Sequence, residues 1–249
     1  MLSSVTHLSY IVGDLSSSST LVLIDEAVAT SKEAHDIIRK ITADHDVTLK
    51  VISAGEHIKT IEYAEQFLDD LQKSGKVFTG MMAIGGGTLI NLANYAAYRM
   101  ASDNGASPRY YVVPTTILAL ADVAYGSKGN LNADGVKHRV RTYHDPDRII
   151  VSPEIFSTLP VDEIKRGLAE CLKHALLQDY AYPDLPRNWV SLSTISMLMK
   201  DKKPDVGLVT IQAFNTMLAK AEILRADKSE RTWVGGLLSY GHLHAHALE

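Results

Sequence analysis

The chain has 249 residues, enough for one large domain or two smaller ones with buried cores. Hydrophobic residues make up 46% and charged residues 22%, and the net charge of −4 argues against a nucleic-acid partner, so any anionic substrate needs a local basic pocket. A single cysteine, Cys171, excludes an intrachain disulfide, and neither a leader pattern nor an apolar run of the roughly 18 residues a membrane span needs is present, so a cytoplasmic enzyme without a membrane partner is expected.

In chain order, the first 150 residues alternate short apolar runs with helical patterns, as βα units do. Leu21–Ile24, followed by Asp25, reads as a buried strand, and Lys32–Ala43 as a helix. Val47–Ile52 is a second strand. Thr60–Gln72 is an amphipathic helix with Ile61, Ala64, Leu68 and Leu71 at helical spacing. Met81–Ile84 is a third strand that stops at Gly85-Gly86-Gly87, with a helix over Thr88–Met100 after it. A surface turn, Asp103–Pro108, leads to strand Tyr110–Val113. From Val161 onward the period is helical, over Val161–Leu177, Leu192–Lys200, Val206–Leu224 and Gly235–Glu249, with a proline-bearing connection at Asp179–Pro186. The predicted fold class is therefore α/β: a Rossmann-like nucleotide-binding domain over 1–152, then an all-helical domain over 153–249.

A strand ending in three glycines and opening a helix suits a phosphate, because the backbone can come close and the helix N-terminus offers unpaired N–H groups. This is not the GxGxxG fingerprint, since Ile90 stands where the third glycine belongs. Asp25 ends the first strand, where an acid can accept hydrogen bonds from a ribose. A tight turn beside a surface aspartate is the plain alternative.

Five segments occur together in one order: SAGEHIKT (Ser53–Thr60), GGGTLIN (Gly85–Asn91), VPTTILALAD (Val113–Asp122), GLAECLKHALL (Gly167–Leu177) and YGHLHAHALE (Tyr240–Glu249). In that order and spacing they resemble the dehydroquinate synthase-like family of sugar-phosphate cyclases, which includes the valiolone and 2-deoxy-scyllo-inosose synthases. Asn132–Pro146 is most similar to the valiolone branch, and Asn91 to the scyllo-inosose branch. The resemblance implies NAD held by Asp25, Glu56, Lys59, Gly86, Gly87, Thr115, Thr116, Lys137 and Thr158. It implies a divalent metal, Zn²⁺ or Co²⁺, on Glu170 and His242, with His246 as a substitute third ligand. It also implies that Asp122, Lys128, Lys173, Lys220 and His246 handle a phosphorylated sugar, and that the protein is a homodimer. The implied chemistry is transient oxidation, phosphate elimination, re-reduction and an intramolecular aldol closure.

The pattern is not complete. The family's third metal ligand lies in an HGE-like segment, and this chain reaches Glu249 without one, so it reads as C-terminally truncated. Gly235 replaces an arginine, Ser239 an asparagine and His138 another asparagine, while Arg99 lies off the spacing of the family's phosphate arginine. Lys137–Arg148 is rich in positive charge and offers partial compensation, or else is a solvated basic loop. Two other readings stand beside the cyclase: a polyol dehydrogenase of the glycerol dehydrogenase type, and an NAD-binding relative without turnover.

Overall fold

The computed structural model describes residues 19–33, 35–36, 46–104, 108–126, 128–181, 189–228 and 230–240. The chain divides into two compact units, Met1–Thr115 with Ser127–Thr158, and Thr116–Gly126 with Leu159–Glu249. The division after Thr158 falls a little beyond Ser152, and a short segment from the middle of the chain clusters with the helices. Among the described residues no helix is long and apolar enough to cross a membrane.

The first unit is built on a parallel sheet of β1 (Thr20–Asp25), β2 (Val47–Ile52), β3 (Gly80–Gly85), β4 (Arg109–Pro114) and β7 (Arg148–Ile149), in the order β2-β1-β3-β4-β7. The continuous apolar runs of β1, β3 and β4 are buried throughout, as strands covered on both faces must be. A short helix α1 (Glu26–Ala29) follows β1. Most of the helix expected over Lys32–Ala43 lies outside the described residues. Helix α2 spans Ile61–Lys73; Thr60 caps it by accepting from Tyr63 N at 3.2 Å, and Gly75, at φ 67, ends its last turn.

Helix α3 (Gly87–Asn104) packs against β3 and β4 and also against a hairpin, β5 (Lys128–Ala133) with β6 (Val136–Tyr143). Contact on more than one side explains why its residues 89–97 are all buried. The sequence reading assigns no strand here and leaves Lys137–Arg148 as either a compensating basic segment or a solvated loop. The hairpin is an antiparallel pair closed by Asp134-Gly135, whose φ values of 51° and 73° suit the two-residue turn that matches strand twist.

The second unit is helical among its described residues. It contains a π-helical turn at Ala119–Val123, then α5 (Val161–Ala181), α6 (Leu192–Lys200), α7 (Val206–Ala226) and a one-turn α8 (Trp233–Gly236); a short α4 (Pro153–Phe156) precedes it in the first unit. Ser191 and Asp205 cap α6 and α7 through Thr194 N and Leu208 N. Helix α5 closes on the π-turn segment at Gly167, where a Cβ would come 2.5 Å from Ile117 and 2.6 Å from the Leu118 nitrogen. The single helix expected over Gly235–Glu249 needs correction in its described part. There α8 gives way to a 3₁₀ turn, Leu237–Ser239, because Lys173 and Asp227 take backbone groups of this stretch.

Candidate functional site

The carboxyl ends of β1 and β3 lie side by side, with Ile24 paired to Ile84. In an open parallel sheet, ligands bind beyond the carboxyl ends of strands where the order reverses, here between β1 and β3. Asp25 and the glycine turn therefore sit together at that edge. Asp25 accepts from Ala27 N at 3.1 Å, and burial raises its carboxyl above the ordinary value despite backbone hydrogen bonds from Ala27 and Ala54. Gly86 O accepts from Ile90 N at 3.1 Å and Gly87 opens α3, so the N–H groups of its first turn have no intrahelical partner. Thr115 joins the same edge, with its N donating to Gly85 O at 3.0 Å.

Asn91 ties this turn to the hairpin. Its Nδ2 donates to Gly87 O at 2.7 Å and its Oδ1 accepts from Asn130 N at 2.7 Å, so both ends of a buried amide are used. Glu56 and Lys59 also meet the hairpin. Glu56 Oε1 accepts from Asn132 Nδ2 at 3.0 Å, Lys59 O accepts from Asn132 N at 2.8 Å, and Lys59 Nζ lies 2.9 Å from His138 Nε2. His138, in place of the family's asparagine, holds a φ of 57°, and Asn132 Oδ1 accepts its N–H. Lys128 begins β5 and Lys137 is exposed on β6. Thr158 donates locally to Ile155 O at 2.7 Å, and Thr116 Oγ1 accepts from Ala119 N at the start of the π-turn segment.

The second unit gathers the ionisable residues. Lys220 on α7 reaches Asp122 in the π turn, donating to its carbonyl oxygen at 2.5 Å and its Oδ1 at 2.6 Å. The Lys220 side chain is 12% exposed and that of Asp122 37%, so the carboxylate keeps a solvent-facing side. Such π turns are frequent at functional sites. On α5, Glu170, Lys173 and His174 share a face at i, i+3 and i, i+4. Glu170 Oε1 lies 2.5 Å from Lys173 Nζ and 3.3 Å from His174 Nε2. Lys173 also donates to Leu238 O at 2.8 Å, fastening the turn that precedes Tyr240.

Charge governs the cluster. Burial pushes the Asp122 carboxyl up, but the Lys220 charge and hydrogen bond, backed by the Lys173 charge, hold it well below the usual carboxylate range. Burial also opposes ionisation of Glu170, and contact with His174 and the Lys173 charge outweigh it, lowering the carboxyl. Burial lowers His174, keeping the imidazole neutral, while Lys220 is raised because Asp122 overcomes its desolvation. Two carboxylates, two ammoniums and a neutral ring sum to zero. Cys171 takes no part: burial pushes its thiol up to about 12.

A divalent cation fits this donor set at Glu170. The carboxylate is buried and held below its ordinary value, a hard anionic oxygen donor of the kind a divalent cation takes, with Lys173 and His174 both against its Oε1. His242 and His246 lie outside the described residues, and among those described no group of three metal-binding side chains assembles. Gly235, where the family pattern has arginine, sits where a Cβ would come 2.5 Å from Asp227 Oδ2, so a side chain does not fit there. Arg99 pairs with Glu65 and Tyr95 between α2 and α3. His174 is the cluster member that sequence reasoning misses, although its spacing from Glu170 marks it.

The 3-dehydroquinate synthase N-terminal family model matches residues 49–166. A 3-dehydroquinate synthase of Coxiella burnetii (strain Dugway 5J108-111) is 31% identical over 218 residues, covering 86% of this chain and 56% of that protein. The chain thus spans about half the length of the curated relatives it matches. The solved structure of a 2-deoxy-scyllo-inosose synthase with carbaglucose-6-phosphate, NAD⁺ and Co²⁺ aligns with a TM-score of 0.76 at 20% identity, covering 96% of this chain and 63% of that one. The 2-epi-5-epi-valiolone synthase of Streptomyces hygroscopicus subsp. jinggangensis 5008, with NAD⁺ and Zn²⁺, aligns at 0.67 and 24% identity, covering 90% and 61%. This chain belongs to the dehydroquinate synthase-like family of sugar-phosphate cyclases.

Proposed function

We propose that the protein is a carbon–oxygen lyase that releases phosphate from a sugar phosphate and closes a carbocycle, using NAD and a divalent metal. The observation that carries this reading is the cluster of Asp122, Glu170, Lys173 and Lys220 in the second unit. With a neutral His174 its charges cancel, so a bound divalent cation leaves two net positive charges, the complement of a dianionic phosphate ester. A dehydrogenase acting on a neutral polyol has no use for two buried ammoniums.

Glu170 is the described residue that would hold the metal, with His242 and His246 as its further proposed ligands. Asp25, Glu56, Lys59, Gly86, Gly87, Thr115, Thr116, Lys137 and Thr158 are the proposed NAD contacts. When bound, NAD would accept and return a hydride, and the cation would polarise the oxygen on the carbon being oxidised. Asp25 accepts hydrogen bonds from ribose hydroxyls, and the glycine turn offers N–H groups to the pyrophosphate. Asp122 holds Lys220 in place, and its solvent-facing oxygen is positioned to accept a substrate hydroxyl. Lys220, Lys173 and Lys128 supply charge for the leaving phosphate, and His246 serves either the metal or that phosphate, since ligation costs it the second role. A cytoplasmic homodimer is the assembly that goes with this reading.

The test is phosphate release by the purified chain, supplied with NAD and Co²⁺ or Zn²⁺, from a panel of glucose 6-phosphate, heptulose phosphates and a deoxy heptulosonate phosphate. Phosphate release without net NADH is the expected outcome. NADH accumulating with an unphosphorylated polyol assigns the protein to the dehydrogenases instead, and no turnover on the whole panel removes the cyclase reading.

A further inference from the structure

We propose that His174 is a positioning residue that orients Glu170 for the cation; the inference rests on the metal-dependent reading above. His174 is fully buried, on a stretch of α5 whose other buried members include Leu168, Cys171 and Ala175. An apolar side chain fills such a place without the cost of desolvating ring nitrogens, so the imidazole is there for a contact. One such contact is Glu170 Oε1, 3.3 Å from Nε2. The two residues stand one turn apart on one 21-residue helix, so their separation is set by a rigid backbone.

Lys173 and His174 both reach Oε1, so the carboxylate is restrained at that oxygen. The approach of His174 is long and imperfectly aligned, as polar contacts in an unliganded site commonly are before the ligand draws them in. Partners of metal-binding carboxylates act in this way, and losing one weakens metal affinity about 10–100-fold.

The experiment is calorimetric titration of the full chain with Zn²⁺, and of His174→Phe and His174→Gln, each first checked for a native circular-dichroism spectrum and NAD affinity. The expected result is about a 10–100-fold loss for His174→Phe, recovery to within a few-fold in His174→Gln, which keeps a donor, and unchanged NAD binding in both. The Co²⁺ visible spectrum of His174→Gln should match that of the parent chain. Equal Zn²⁺ affinity in a folded His174→Phe overturns the inference and leaves the metal site standing. An altered Co²⁺ spectrum in His174→Gln also overturns it, by making His174 a ligand. If the parent chain binds no Zn²⁺, the metal-dependent reading itself falls, and the role of His174 falls with it.

Discussion

Lys220 gives two hydrogen bonds to one residue, and Asp122 depends on it for its charge. Removing the ammonium strands a carboxylate that is more than half withdrawn from water. Lys220→Met should therefore cost about 1–3 kcal/mol, toward the lower end because Asp122 keeps a solvent-facing side. Asp122→Asn with Lys220→Met should cost less than the two separately, and urea unfolding of the four-member cycle measures the coupling. The pH dependence has a definite sign. The folded carboxyl of Asp122 lies below its unfolded value of about 3.9, so the unfolded chain binds more protons between the two. The contribution is whole above about pH 5 and is lost as pH falls below the unfolded value toward the folded one. Asp122→Asn should flatten that acid limb in urea midpoints taken from pH 7 downward. At this scale the lysines and acids were legible from their motifs. His174 was not, because a lone histidine inside an apolar helix reads as core.

Two close approaches hold the elements around the site. At Gly167, α5 meets the segment carrying Asp122 so closely that a methyl group meets both a side chain and a backbone nitrogen. Gly167→Ala should cost about 1–3 kcal/mol by overpacking, visible as a lower thermal midpoint. Asn91 joins the glycine turn to β5 through two buried hydrogen bonds. Asn91→Leu orphans Asn130 N and should cost about 1–3 kcal/mol in urea unfolding, with weaker NAD binding in calorimetry. The turn before α8 hangs on Asp227, which accepts from Arg231 N, Thr232 N, Thr232 Oγ1 and Gly235 N, and these bonds hold its carboxyl down at about 2. Asp227→Asn should speed amide exchange selectively over residues 231–236. Helices were legible here because α2 and α6 carry their period and caps within themselves, and α7 opens on its own cap, Asp205. The β5–β6 hairpin was obscured by its charges, although Asp134-Gly135 between Leu131 and Val140 was a turn signal. Gly235–Ser239 departs from the expected helix because tertiary bonds to Lys173 and Asp227 take its backbone groups.

The two units divide the proposed chemistry: the nucleotide edge lies in one, and the balanced ionisable cluster in the other. A ligand that binds only the folded state stabilises the unit holding it, by about 2.7 kcal/mol at a hundred times its dissociation constant. NAD should therefore protect the amides of β1, β3 and α3 in hydrogen exchange, and Zn²⁺ those of α5 and α7. A protection pattern spread equally over both units by either ligand alone would contradict that division. By itself the sequence determined the parallel strands, the glycine turn at a strand end, the helical second half and the grouping of Glu170 with Lys173, because each follows from spacing within one element. Only the tertiary structure decided that Lys220 pairs with Asp122, 98 residues away, and that Lys173 fastens Leu238. Any ammonium can satisfy any carboxylate, so the choice of partner depends on which helices lie side by side, which no local pattern encodes.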